Sequence, residues 1–486
     1  MLVIALIAAL FVVSAVAFYL RVRIHLGRQP FGSDVFIHLH RSGLFRMHGG
    51  FPDRDERMLI RSDGSRLDFP PVFYKFLSLL SDRQLKQFMY LISPFIDVLH
   101  VLALFLVTAV LTANSLLALV AAAVYAVTPL TVSQAGTLTE RVLGAFLLSF
   151  AMVSLIWFAL YGDLVFFAAF FAFGSLILLT HKMTTQTLYF TVLLFGVFLQ
   201  NPLILLSVPA LAVFTAVVTK GYYLRLFKGH LTMIRFWFNR PRYGAKKQDI
   251  RLLVAKLFFY NPFIVVLAVQ LAAVLYLGIA LSQLIWLFVF WVTATWAFAL
   301  FTSTVKPLMC FGEGERYLQF NAFPIALLAA YFHFYFFLDS LLMTALLALG
   351  FAVSIVAVLI SQSRQLARSK QLVFGSELKK VMRKLKGLKG KNVIAFPYAL
   401  MRVALYSADK NIVEQMSAAD SMGLAEFYPV LTMPLRSIIS KYQLDYILAA
   451  KSYDEIKKIT TLANSKKVRK LMETENFLLY DVSALK

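Results

Sequence analysis

Residues 32–43 read GSDVFIHLHRSG, which places Asp34, His38, His40 and Arg41 a few residues behind the apolar segment 1–22. That segment is as long as the roughly 20 residues a helix needs to cross a bilayer. Ten more apolar segments follow, near 88–112, 114–130, 142–161, 163–180, 184–200, 202–219, 257–279, 282–303, 319–338 and 340–361. None shows the strict alternation of a membrane β-barrel strand. The chain therefore reads as an all-α polytopic membrane protein of about 11 transmembrane helices, and Asp34 falls where the first of them leaves the membrane. Ala113-Asn114, Gly162-Asp163 and Asn201-Pro202 supply helix-breaking chemistry between neighbouring spans. Ala15-Val16-Ala17 resembles a signal-peptidase site, but no basic residues precede it, so the segment reads as an uncleaved span.

The bulk numbers agree. Of 486 residues, 60% are hydrophobic, and the mean hydropathy is +0.74, well above soluble domains at about 45–50% apolar. One cysteine, Cys310, excludes an internal disulfide framework. The net charge of +23 is concentrated: residues 220–256 and 362–391 each hold ten Lys/Arg against one acid. Both stretches abut apolar spans, so the expected partner is a bilayer with anionic headgroups, and no nucleic acid. Residues 221–244 mix aromatics and leucine with Arg225, Lys228, Arg235 and Arg240. They suit either a helix lying in the interface plane or an ordinary basic connection.

From residue 392 the composition is that of a soluble domain. NVIAFP, DYILAA and NFLLYDV read as strands, with helices near 434–441 and 452–460. The expected organisation is a transmembrane domain over 1–361, which includes a first polar loop at 23–87 and the basic amphipathic loop at 220–256. A basic linker over 362–391 and a small α/β domain over 392–486 complete it. With eleven spans, residues 23–87, the basic stretch and the C-terminal domain share one membrane face. The positive-inside rule would make that face cytoplasmic, although long segments translocate regardless of charge. A re-entrant hairpin at 184–219 would instead leave only 23–87 outside.

Asp34 and His38 are four residues apart, one above the other on a helix. A carboxylate there can take a proton from a substrate hydroxyl; it can equally cap the helix that follows, as can Ser33. Glu140-Arg141, His181-Lys182 and Glu315-Arg316-Tyr317 sit at span ends that parity places on the same side as Asp34. Arginine binds phosphate oxygens with its planar fork. Boundary anchoring by charged flanks, and snorkelling of Lys182, account for the same residues without a ligand.

GSDVFIHL resembles the first-loop motif of the GT-C superfamily of membrane glycosyltransferases, which reads Gly-Ser-Asp-Pro-Tyr-Tyr-His-Leu in the oligosaccharyltransferase branch. HGGFPDRDE (48–56), LDFPPVFYKFL (67–77), TERVLGAFLLS (139–149), LLTHKMTTQT (178–187), GEGERYLQFNAFP (312–324) and KYQLDYILA (441–449) are similar to further family segments, in the family's order. The resemblance implies an enzyme that moves a hexose or pentose from a polyprenyl-phosphate carrier to an extracytoplasmic protein, lipid or glycan acceptor, with inversion. The setting it implies is the plasma membrane. Asp34 would then be the acid/base and His38 an orienting group. Arg316, Arg141, His181, Lys182, Glu140 and Tyr317 would bind the lipid phosphate and the sugar. No carboxylate adjoins Asp34, and neither a second acidic motif nor a Trp-Trp-Asp signature is visible, so a divalent metal is possible but unsupported, and a single-sugar transfer fits better than transfer of a whole oligosaccharide. The alternatives are a lipid or polysaccharide transporter, which calls for ionisable groups inside the spans, and a scaffold acting through 392–486. The spans read as nearly devoid of such groups.

Overall fold

The structure, a computed structural model, describes residues 2–25, 34–52, 55–60, 68–238, 255, 258–372, 376–414, 418–428, 431–463, 465 and 467–486. Gly32-Ser33, Asp53-Arg54, residues 61–67 and most of the basic stretch beyond Phe238 lie outside the described residues. The chain is a polytopic helical membrane protein with a small mixed-sheet domain, and it divides into two compact units. The first holds residues 1–28, 88–223 and 246–364; the second holds 29–87, 224–245 and 365–486.

In the first unit every predicted apolar segment is helical: Leu2–Val22, Asp82–Thr112, Ser115–Val127, Glu140–Tyr161, Leu164–Leu178, Lys182–Phe198, Pro202–Val218, Phe263–Tyr276, Gln283–Thr304, Ala322–Phe336 and Leu341–Leu372. Among the described residues, five helices are long and apolar enough to cross a membrane, or six if one bent pair counts as a span. The turns follow from local chemistry. Asn114 accepts hydrogen bonds from the amides of Leu116 and Leu117, and Asn201 from those of Leu203 and Ile204. Gly162 takes the left-handed conformation that closes one helix, and Asp163 caps the next. These side chains take up amides that a helix start leaves without partners, which matters more in lipid than in water.

The segment predicted as one span at 114–130 is broken. Ser115–Val127 and Pro129–Ala135 meet at 61°, because Pro129 offers no amide to continue the ladder. The carbonyls freed at that break are taken up by side chains. Thr128 Oγ1 bonds Val124 O at 2.9 Å. Arg21 Nη1 reaches Ala126 O at 2.8 Å and Ala17 O at 2.9 Å. Arg21 Nε also pairs with Asp97, both side chains being fully buried. Asp97 accepts from Tyr125 Oη at 2.9 Å, Tyr125 Oη meets His100 Nδ1 at 2.8 Å, and His100 Nε2 meets Ser149 Oγ at 2.8 Å. The expectation of spans nearly devoid of ionisable groups is therefore wrong. Asp97 and His100 lie within a long helix whose remaining residues are apolar enough to mask them.

The second unit is built on a five-stranded sheet of order β2-β1-β3-β5-β4. Its strands are β1 (Asn392–Phe396), β2 (Asn411–Ile412), β3 (Tyr446–Ala450), β4 (Arg469–Glu473) and β5 (Phe477–Asp481). The first three are mutually parallel, and β5 runs antiparallel to both of its neighbours, β3 and β4. β1, β3 and β5 match the predicted strands. Missing from the sequence reading were β2, β4 and the helix Ala399–Ser407. β4 is a charged edge strand, exposed at Arg469, Lys470 and Glu473, and such edges carry no alternating pattern to read.

The first polar loop packs with this sheet, a grouping that runs across the boundaries 1–361 and 392–486 read from the sequence. Phe36, Ile37, Leu44, Met58, Phe69 and Tyr74 share one core with Val393, Ile394, Leu448 and Leu479. The Leu59 amide donates to Ile412 O, and the Ile412 amide to Arg57 O, both at 2.8 Å, so the loop adds a bridge beside β2. Backbone left exposed by a long loop thereby finds partners. Residues Tyr222–Phe238 of the basic segment form a helix, whose Phe236 is buried in that same core.

His40 and Asp55 pin the loop at 2.5 Å. Burial pushes the Asp55 carboxyl up, but the His40 hydrogen bond and charge, helped by the Arg57 amide, leave it below its usual value of 3.8. A depressed folded pKa contributes stability that is complete above the unfolded value and lost as pH falls through the folded one. The Leu59 and Ile412 amides are accordingly expected to keep their hydrogen-exchange protection at about pH 4. In His40→Gln the loss begins at higher pH, since burial then acts unopposed by the ring.

Candidate active site

Asp34 is the first residue of the helix Asp34–His48, where the helix dipole favours a negative charge. Its side chain is 70% exposed. Oδ1 accepts from Arg402 Nη1 on the helix Ala399–Ser407. Arg402 Nε in turn donates to Glu414 Oε2 at 2.9 Å, and Glu414 is fully buried. The guanidinium also lies 5.4 Å from the Tyr398 ring centroid. A buried carboxylate thus fixes the arginine, and the arginine fixes the orientation of Asp34. His38, one turn on, is buried and meets Tyr74 Oη at 3.0 Å through Nδ1. Arg41 donates to the same hydroxyl at 3.3 Å and stacks over Phe69 at 3.4 Å. The helix Asp34–His48 therefore packs directly on Phe69 and Tyr74, and His38 stabilises the loop that presents Asp34.

Asp34, Tyr398 and Arg402 line a cleft of about 480 Å³ within the second unit. Arg402 and Glu414 were not anticipated. They stand hundreds of residues from Asp34, and only the fold brings them to it. Among the described residues, no group of three or more His, Cys, Asp and Glu side chains could hold a metal ion; Asp34 pairs with a cation of the protein itself, Arg402.

The other candidates belong to the first unit, where three segments converge. Gly144, one turn beyond Arg141, permits the first approach: a Cβ there would lie 2.4 Å from Thr184 Oγ1 and 3.3 Å from His181 Cβ. His181 caps the helix Lys182–Phe198, its Nδ1 accepting from the Thr184 amide. Tyr317 Oη then donates to Gln186 Oε1 at 2.6 Å, tying the 3₁₀ turns at Gly314–Asn321 to the same helix. Gly314 is required there, because a Cβ would fall 2.1 Å from Ala299 O. Arg141 donates to Gln134 Oε1. Arg316 pairs with Glu313, three residues earlier. Arg141, His181, Lys182 and Tyr317 thus stand on neighbouring turns of one unit, with Arg316 and Glu140 on the same segments. Asp34 and His38 stand in the other.

Helices of this order joined to a small mixed sheet define a class of polytopic membrane protein, and solved structures narrow it to one fold. The chain is similar to ArnT from Cupriavidus metallidurans in the apo state, with a TM-score of 0.61 and 11% identity over 99% of this chain and 98% of that one. ArnT bound to undecaprenyl phosphate gives 0.60 and 10% over the same shares. The Archaeoglobus fulgidus oligosaccharyltransferase AglB, in complex with an inhibitory peptide and a dolichol-phosphate, gives 0.53 and 14% over 92% of this chain and 69% of that one. No protein-family model matches the sequence, and no curated protein matches it. The chain shares the fold of these solved structures, as the resemblance of its sequence segments to the GT-C superfamily implies.

Proposed function

We propose that the chain is a membrane glycosyltransferase that moves a hexose or pentose from a polyprenyl-phosphate carrier to a hydroxyl-bearing acceptor on the extracytoplasmic face of the plasma membrane. The observation that carries this reading is the Asp34–Arg402–Glu414 chain: an exposed carboxylate held in one orientation at a cleft, in a fold shared with proteins solved with undecaprenyl phosphate and dolichol-phosphate. Asp34 takes the proton of the acceptor hydroxyl as its oxygen attacks the anomeric carbon. The bond from that carbon to the phosphate oxygen breaks, and the carrier phosphate leaves with the electron pair. One displacement of this kind inverts the anomeric centre. Arg316, Arg141 and Lys182 are the groups proposed to bind the donor's phosphate, which arginine forks and lysine charge suit, with His181, Glu140 and Tyr317 beside them in the same unit.

The test uses right-side-out membrane vesicles given polyprenyl-phosphate-linked radiolabelled sugar from outside. The reading expects a covalent product, and weaker donor binding in Arg316→Ala and Arg141→Ala. Passage of intact donor across the membrane without a covalent product would support a transporter instead.

Arg402 acts through Asp34 as a positioning residue. Arg402→Lys keeps the charge beside Glu414 but loses the planar fork that spans both carboxylates. It is expected to lower kcat by about 10²-fold, the usual cost of misplacing a reacting group, with donor KM and thermal stability unchanged. Equal losses in stability and kcat would assign Arg402 to folding alone.

A further inference from the structure

The sheet of the second unit has a feature that the transfer reading does not use. β1 is followed by the helix Ala399–Ser407 and then by β2 on one side, while β3 lies parallel on the other side of β1. Connections leaving neighbouring parallel strands in opposite directions open a crevice beyond the carboxyl ends of those strands, the usual place for a ligand in open α/β sheets. The cleft sits there. Its wall includes residues 395–399, the carboxyl end of β1 and the turn that follows it, and Tyr453, just beyond β3.

Its lining has a definite chemistry. Trp237, Phe396, Tyr398, Phe427, Tyr428 and Tyr453 supply aromatic rings, several in contact: Tyr398 with Tyr428 at 4.9 Å and Trp237 with Tyr428 at 5.9 Å between centroids. The charged side chains on the wall are Asp34 and Arg402, and Arg402 is shared with the buried Glu414, so the group holds one carboxylate in excess. The polar remainder includes Ser421 and Tyr398. Tyr398 Oη has no exposed surface and finds no hydrogen-bond partner among the described residues. An unbonded buried hydroxyl is costly unless a ligand satisfies it.

A volume of about 480 Å³ falls within the 300–1,000 Å³ or so of small-molecule sites. The excess carboxylate disfavours a phosphate, and a guanidinium on the wall disfavours a cation. A neutral sugar ring matches what is left: its C–H faces pack on aromatic rings while its hydroxyls meet Ser421, Tyr398 and the Asp34 carboxylate. We infer that the cleft is the acceptor site and that the acceptor is a neutral saccharide, one hydroxyl of which is delivered to Asp34. This deepens the transferase reading and rests on it.

The experiment measures saccharide binding and donor turnover separately on the full-length protein in nanodiscs. Saturation-transfer NMR is recorded with methyl α-glucoside, methyl α-mannoside, methyl α-galactoside and N-acetylglucosamine. At least one is expected to bind the wild type through its ring C–H protons. That binding should weaken about tenfold in Trp237→Ala, as for loss of an aromatic anchor, and several-fold in Tyr398→Phe, which keeps the ring and removes only the hydroxyl. Both variants should raise the acceptor KM while leaving donor affinity unchanged. If no saccharide binds while donor turnover still depends on Asp34, the acceptor assignment is overturned and the transferase reading survives. If saccharides bind at Trp237 and Tyr398 without any donor turnover, the cleft is a saccharide site and the transferase reading fails. Competition for the cleft by undecaprenyl phosphate alone would give it to the carrier and overturn the inference.

Discussion

Asp97→Ala is expected to destabilise the first unit by about 3–5 kcal/mol, the cost of removing one partner from a buried ion pair. Arg21 is fully buried, and besides Asp97 it bonds two carbonyls and approaches Thr131 Oγ1. Without the carboxylate its charge stays inside the protein uncompensated, close to the helix break at Pro129. The double variant Arg21→Met/Asp97→Leu removes both charges and should recover much of the loss. It still frees the Ala126 carbonyl, while Tyr125 and His100 keep their mutual bond. Thermal unfolding of the detergent-solubilised protein, read as the fraction that stays monodisperse, checks this. An Asp97→Ala protein that melts with the wild type, or a double variant no better than the single one, would show that the pair does not hold these helices.

Much of the fold is legible because its causes are local. Asn114, Gly162, Asp163 and Asn201 announce their turns in two or three residues, and the structure uses each as a cap. NVIAF, YILAA and FLLYD are short apolar runs of strand character, and they form β1, β3 and β5. The charged strand β4 and the two-residue β2 are made by pairing with neighbours, which no window of sequence contains. Asp97 and His100 were missed for a related reason. Averaged hydropathy reports the whole helix, whereas their role depends on Arg21, Tyr125 and Ser149 on other helices.

The candidate site divides in the same way. Asp34 stands out because a carboxylate at the exit of the first span is unusual, and the family-like segments around it mark the loop. Gly144 and Gly314 follow from their steric surroundings: each allows a close approach that any side chain would block. Arg402 and Glu414 carry no local signal, since an arginine on a short amphipathic helix and an acid after a two-residue strand read as solvated surface. The packing of the first loop onto the sheet gives them their meaning.

Asp34→Asn is the change expected to affect the reaction most. Asparagine is nearly isosteric and can still accept from Arg402, while Glu414 continues to hold that arginine. The loop should therefore fold, and the donor should bind as before. What is lost is the ability to take a proton, and a positioned general base contributes about 10²–10⁴ in rate. The decisive measurement is the rate at which purified protein in proteoliposomes, saturated with polyprenyl-phosphate-linked sugar and an acceptor, releases free polyprenyl phosphate, compared between wild type and Asp34→Asn. A fall of that size with unchanged donor affinity and melting temperature is the predicted result; carrier phosphate released by Asp34→Asn at the wild-type rate would contradict the assignment.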